Sequence, residues 1–309
     1  MNAIETHGLT KKFGNLVAVN DLNLNVEEGK IYGFLGPNGA GKSTTISMLM
    51  GFVKPNGGTG TVLGHDIRKQ HYEIRNATGY LPERPAFYDN MTGTDNMTYF
   101  GKLIGVEDLN KRVPELLAQV GLEGRGKDKV KTYSHGMRQR LGISIALLGN
   151  PKLLIMDEPT TGLDPQGSHD IREIIKRLKG GHVTIFLSSH ILHEVQEISD
   201  NVGIIKDGRM IVEKPIENLL RGGKGSLSVF EVNSLKVDDR FVDTAKKVTG
   251  VQSATIRDGR MYLTVDEPAV AEDVNIALVG AGLRVREIKE IVPTLEDAFL
   301  QVIGDKKEG

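Results

Sequence analysis

Residues 31–52 read IYGFLGPNGAGKSTTISMLMGF. Ile31–Leu35 is a short apolar run of buried-strand character, and the residues from Lys42 onward carry a helical pattern. Between them, residues 36–44 fit G-x-x-x-x-G-K-[ST], the pattern of a phosphate-binding loop set between a strand and a helix. Gly36, Gly39 and Gly41 permit the tight backbone path, with Pro37, Asn38 and Ala40 between them and Thr44 closing the motif. Loop amides surround phosphate oxygens, Lys42 brings a mobile positive charge, and Ser43 offers an oxygen to Mg²⁺. A glycine-rich structural turn is the competing reading. The strand before and the helix after weigh against it.

A second stretch completes the first. In KLLIMDEP (152–159), four apolar residues place a strand in the core, and Asp157 and Glu158 emerge at its carboxyl end. Open α/β sheets bind ligands at that end. One carboxylate there can support Mg²⁺ and the next can polarise an attacking water. His190 closes another apolar strand, TIFLSSH. Alone it reads as a helix cap; beside a nucleotide site it reads as a contact to the γ-phosphate or to the attacking water. His182, His190 and His193 have no third partner at metal-ligand spacing.

The 309 residues suggest about two domains. Lys plus Arg number 39 and Asp plus Glu 40, so the formal charge of -1 supplies no global pull toward nucleic acid. The absence of cysteine excludes disulfides, thiolate nucleophiles and cysteine-bound zinc. No uncharged apolar run approaches the roughly 18 residues of a membrane span, and the polar start MNAIETHGLTKKFG lacks a signal-peptide core. The expectation is a chain soluble by itself.

Short strands are expected over residues 3–27, with one shift of phase in AVNDLNLNVEEGK. TGYLPE (78–83) reads as a strand, and residues 89–150 as an all-helical insert in an α/β domain. VGIIKDGRMIVEKP reads as a hairpin turning on Asp207-Gly208. The first domain is placed at 1–220 and a linker at 221–226. Beyond it, a strand at 227–232, a helix at 238–248, strands at 252–258 and 260–265, a helix at 268–279 and a strand at 283–289 give a β-α-β-β-α-β order. That order predicts a small ferredoxin-like α+β domain at 227–303, with a last helix over 294–303.

One motif remains. In YSHGM (133–137), Ser134 offers a hydroxyl, Gly136 a bare backbone, and the following amides a helix N-terminus, which together favour an anion. The chain already has a stronger phosphate loop.

Taken together these residues resemble an ATP-binding cassette ATPase, the motor subunit of ABC transporters. The resemblance covers about residues 3–220 and carries six elements in order. Phe13 in KKFG falls at the aromatic base platform, 36–44 at Walker A, and 133–137 at the signature. Walker B with its glutamate falls at 153–158, the D-loop TGLDP at 161–165, and the switch histidine at His190. Two departures stand out: His135 and Met137 replace a glycine and a glutamine of the signature, and Glu83 replaces the usual glutamine of the glutamine loop.

The resemblance implies a P-loop fold of the ABC type with an antiparallel β subdomain and helical insert. It implies an ATPase using ATP and Mg²⁺. Lys42, Glu158 and His190 would be catalytic, and Ser43, Asp157 and Glu83 would lie near the metal. Ser134, His135, Gly136 and Met137 would meet ATP held by a second copy, with Asp164 coupling the two sites. YLPE…YSHGMRQRL with a small C-terminal domain is similar to the subgroup serving ABC-2-type exporters. The expected partners are therefore a second cassette and a separate membrane permease, without nucleic acid, at the cytoplasmic face of the cell membrane. The permease contact is expected near Glu83 and residues 84–100, with Phe87 and Tyr88 as aromatic candidates. A cassette ATPase working on nucleic acid or ribosomes is the alternative, and a nonhydrolysing regulatory cassette is disfavoured by Glu158 and His190.

Overall fold

The computed structural model describes residues 1–179, 183–221, 227–291 and 295–296. His182, nearly all of the expected linker and most of the expected last helix lie outside them. Packing divides the chain into two compact units, Met1–Lys214 and Pro215–Gly309.

In the first unit β1 (Asn2–Phe13) and β2 (Leu16–Glu27) form one long antiparallel hairpin. Short strands were the expectation. The break in alternation that suggested them is absorbed as register shifts, with Asp21 at φ 56°, so pairing continues through both strands. β3 (Ile31–Leu35) runs into the glycine loop and α1 (Lys42–Leu49). β4 (Gly57–Val62) and β5 (His65–Asp66) return to the hairpin, giving a four-stranded antiparallel sheet of order β2-β1-β4-β5. α2 (His71–Ala77) and β6 (Thr78–Leu81) follow.

The helical insert comprises α3 (Gly93–Leu103), α4 (Leu109–Gln119) and α5 (His135–Ala146). α3 begins at a capping box in which Thr92 and Asp95 satisfy each other's backbone amides. α5 begins at Ser134, whose Oγ accepts from the Met137 amide at 3.3 Å.

β7 (Leu153–Asp157), α6 (Pro165–Lys179), β8 (Thr184–Ser189), α7 (Leu192–Ile198), β9 (Asn201–Lys206) and β10 (Arg209–Pro215) complete a second sheet of order β10-β9-β3-β8-β7-β6. β3 pairs in parallel with β8 and β9, and β7 in parallel with β6 and β8. Every residue of β3, β7 and β8 is buried, which is why these strands read as continuous apolar runs. Their adjacency also brings three carboxyl ends together: the glycine loop, Asp157-Glu158 and His190 follow directly from them.

Phe186 of β8 anchors this arrangement. Its ring stacks on Tyr32 at 5.6 Å between centroids and lies 5.4 Å from Phe34. The Tyr32 hydroxyl donates to Glu213 Oε1 at 2.7 Å. Burial pushes that phenol's pKa well up and the Glu213 charge adds to the shift, so the proton stays on tyrosine.

The second unit opens with α8 (Ile216–Arg221). β11 (Ser228–Asn233), α9 (Asp239–Ala245), β12 (Val251–Arg257), β13 (Arg260–Val265), α10 (Val270–Gly280) and β14 (Glu287–Ile291) then follow the expected order. The sheet runs β12-β13-β11-β14 with antiparallel pairs, the ferredoxin-like arrangement. Phe230, Met261 and Leu263 pack with Phe241, Val274 and Leu278 of the helices. β14 starts four residues later than the pattern predicts. Leu283 and Val285 do pack on the core, but the ladder begins only where Asn233 meets Glu287.

Replacing Phe186 with alanine removes a fully buried ring and its contacts with Tyr32 and Phe34. The expected loss is about 3–5 kcal/mol, read as an earlier urea unfolding transition.

Candidate active site

The glycine loop is shaped by its neighbours. At Gly41, φ is 107°, and a Cβ there would stand 2.5 Å from the Ala18 carbonyl oxygen. At Gly36 a Cβ would stand 2.4 Å from the Ile205 carbonyl oxygen. Real side chains tolerate neither distance, so both positions require glycine. Ala40 is buried, and its carbonyl accepts from the Gly208 amide at 3.0 Å. The hairpin turn at Asp207-Gly208 thus braces the loop from behind.

Lys42 is only 6% exposed. Its ammonium donates to the carbonyls of Gly36 (2.6 Å) and Pro37 (3.3 Å) and pairs with Glu158 Oε1 at 3.1 Å. Glu158 itself has φ 50°, an uncommon backbone state for a non-glycine residue. Its amide donates to Ser188 at both the carbonyl oxygen (3.2 Å) and Oγ (3.0 Å). Its Oε2 accepts from His190 Nδ1 at 2.8 Å and from Thr161 Oγ1 at 3.0 Å. Burial alone would push the Glu158 carboxyl up. The Lys42 charge and the hydrogen bonds from His190 and Lys42 outweigh it and hold the pKa below its ordinary value. Glu158 is therefore a carboxylate at neutral pH.

Asp157 is buried beside it, and its Oδ1 accepts from Ser188 Oγ at 2.6 Å. Ser188 thereby orients both acidic residues from the next strand. The Tyr80 phenol is pushed up to about 12, by burial first and by the Asp157 charge second. It stays protonated.

A cleft of about 680 Å³ opens above these groups. Lys42, Ser43, Thr44, Glu158 and His190 line it with Asn38, Gly39, Gly41 and Glu83. Phe13 stands at the cleft 49% exposed, with Lys11 Nζ 4.8 Å from its ring centroid. Gly36 and Pro37 enter through the carbonyls that hold Lys42, and Asp157 through its bond to Ser188. Ser134, His135, Gly136 and Asp164 line a different cleft, of about 410 Å³. Met137 contributes the amide that caps α5. Among the described residues no cluster of three or more His, Cys, Asp or Glu is placed to hold a metal.

Four contributors have no site role of their own in the motif patterns, Thr161 among them although it opens the TGLDP motif. Ser188 is buried at a strand end, where the polar pair in FLSSH was its one signal. Thr161 touches Glu158 from a turn. Asp207 and Gly208 line the cleft from a hairpin.

The family model described as ABC transporter matches residues 19–161. The bacitracin transport ATP-binding protein BcrA of Bacillus licheniformis is 38% identical over 302 residues, 97% of each chain. This chain belongs to the ABC transporter ATP-binding family. The lantibiotic transport ATP-binding protein SrtF of Streptococcus pyogenes is 41% identical over 211 residues, 68% of this chain and 90% of SrtF. The structure of cbiO1 from Clostridium perfringens, part of an ABC transporter complex, superimposes with a TM-score of 0.65 at 26% identity. The match covers 71% of this chain and 90% of cbiO1. The protein is the ATP-hydrolysing subunit of an ABC transporter, with the expected P-loop fold, antiparallel subdomain and helical insert. Among the described residues no helix is long and apolar enough to cross a membrane.

Because the Glu158 pKa is depressed on folding, the carboxylate's contribution to stability is present above its unfolded value, about 4.3. It is lost as pH falls through the lower folded value. Glu158→Gln without nucleotide should therefore destabilise the protein by about 2 kcal/mol at pH 7, the scale of a charge-assisted bond. That deficit should shrink below about pH 4. Thermal melts of both proteins across pH 3.5–7 check this; a deficit that grows on acidification would contradict it.

Proposed function

We propose that this subunit drives export through a separate integral membrane permease, acting as a head-to-tail pair of cassettes that share ATP and Mg²⁺. The observation carrying this reading is that one chain holds two separate half-sites: the cleft at Lys42, Glu158 and His190, and the cleft at Ser134 and Asp164. A capped helix N-terminus apart from its own nucleotide cleft suits the nucleotide of a second copy.

On this reading Phe13 stacks on the adenine, and the loop amides with Lys42 hold the phosphates. Lys42 is at present shared between two loop carbonyls and Glu158. A γ-phosphate draws the ammonium toward itself, and the Glu158 carboxylate then has an oxygen free to take a proton from the attacking water. His190, bonded to Glu158 through Nδ1, keeps Nε2 for the phosphate or the water. The metal's donor set is small: the Ser43 hydroxyl, the buried Asp157 carboxylate and Glu83. Few protein oxygens beside a phosphate site suit Mg²⁺, which keeps waters and phosphate in its shell. When bound it neutralises phosphate charge.

Export is supported by whole-length relatives described as transporting bacitracin and by SrtF, described as transporting a lantibiotic. For the permease we assign a cleft of about 720 Å³, lined by Tyr80, Phe100, Ile104, Val106 and Arg112. Ile104 is 56% exposed there and its chain neighbour Leu103 64%, so the cleft has an apolar rim of the kind a partner covers. Nearby, Tyr88 is 48% exposed and meets Tyr99 edge-on at 4.9 Å, whereas Phe87 lies under the Arg138 guanidinium. Tyr88 is therefore the better aromatic contact of the two. Such a chain would work at the cytoplasmic face of the membrane.

Glu158→Gln should lower ATP turnover by at least about 100-fold while leaving nucleotide affinity largely intact. Ser134→Arg should preserve nucleotide binding to the monomer and block hydrolysis; full turnover in that variant would refute the shared site. Glu83→Gln should change the ratio of transport to hydrolysis in the complex with its permease. Equal ratios would remove any coupling role for the carboxylate.

A further inference from the structure

His135 stands where the family usually has glycine, and it has more to do than occupy space. Its ring Nε2 lies 3.1 Å from the Thr161 carbonyl oxygen. A carbonyl only accepts, so the ring donates through Nε2–H. The same Thr161 donates through Oγ1 to Glu158 Oε2, the oxygen that His190 also engages. The first residue of α5 is thus joined to the Glu158 carboxylate of its own chain by two hydrogen bonds through a single residue.

We propose that His135 is a positioning residue for Glu158, acting through Thr161. The turn that carries Thr161 is suited to this. It leaves β7 with Glu158 at φ 50° and reaches Gly162 at φ 76°. Within it the Thr161 amide bonds the Glu158 carbonyl at 3.2 Å, and the Leu163 amide bonds the Thr160 carbonyl at 3.2 Å. On the opposite side Thr160 Oγ1 donates to the buried Glu194, which Arg172 holds at 3.1 Å. The turn is therefore pinned on the α7 side by Thr160 and on the α5 side by His135. Releasing the His135 bond frees the Thr161 carbonyl and loosens the hold on Oγ1, while the Thr161 amide and the Thr160 anchor stay in place.

This inference rests on Glu158 being the group that handles the attacking water. Where the α5 N-terminus serves the nucleotide of a second copy, the link carries the occupancy of that site to the carboxylate of its own. His135 is exposed, so substitution there does not threaten folding.

Steady-state ATP turnover of the full chain tests it, with a double-mutant cycle. His135→Ala should lower kcat about tenfold with KM for ATP little changed, as expected when a reacting group is misplaced. His135→Gln places an amide donor near the Nε2 position and should restore most of the loss. Thr161→Val removes the hydroxyl and keeps the shape. The double variant His135→Ala/Thr161→Val should be no slower than the slower single variant, because both changes break one path. Multiplying losses, a change confined to KM, or no recovery with glutamine would overturn the proposal. Failure of the underlying reading is distinguishable: Glu158→Gln would then turn over ATP normally, whatever the cycle shows.

Discussion

The structure of the first unit turns on one buried carboxylate. Glu158 leaves water at a cost of several kcal/mol unless partners repay it. Its partners come from separate parts of the chain: Lys42 from the start of α1, His190 from the end of β8, and Thr161 from its own turn. No single element could supply them. They meet because β3, β8 and β7 are consecutive parallel neighbours, so three strand ends open on one side of the sheet. The strand order and the chemistry of Glu158 are then one constraint. Moving β8 out from between β3 and β7 would leave the carboxylate buried without its imidazole, and Asp157 without Ser188.

The backbone bears the same constraint. Glycine is forced at 36 and 41 because the loop runs against the carbonyls of Ile205 and Ala18. The antiparallel hairpin that supplies Ala18 and the β9–β10 turn that braces Ala40 are accordingly part of what shapes the glycine loop, though neither lends a side chain to the Glu158 cluster. Glu158 and its φ of 50° belong to this category too. An uncommon backbone state at a buried acidic residue persists only where the surroundings hold it, here through two bonds from its amide to Ser188.

Much of this was legible in the sequence, for local reasons. The glycine loop, the apolar strands and the acidic strand end each announce themselves within a few residues, because backbone path and burial dictate residue type there. The β-α-β-β-α-β order was legible for the same reason. What the sequence concealed depends on distant pairing. The alternation of β1 and β2 breaks at bulges, which look like strand ends until the partner strand is seen. β14 packs before it pairs, so apolar residues mark its position early. Ser188 and Thr161 are ordinary polar residues at a strand end and in a turn, and only the arrival of Glu158 gives them a role. That Ser134 and His135 open onto a cleft of their own could be read from sequence only through a family resemblance.

Lys42 shows why such a site can respond to its ligand. In this structure its ammonium is satisfied by two carbonyls and a carboxylate, so it carries no unpaired charge. A phosphate competes for that ammonium on better electrostatic terms than a single carboxylate, since it brings more charge and more acceptor oxygens. Every step by which Lys42 turns toward phosphate strips a donor from Glu158. Its remaining donors, His190 and Thr161, then fix where the carboxylate points. Nucleotide arrival and carboxylate release are on this reading one event, and the two side chains left holding Glu158 connect outward, to the start of α7 and, through the Thr161 carbonyl, to the start of α5. A site wired in that way cannot be filled without its surroundings registering the fact, which is what a motor subunit requires of its fuel.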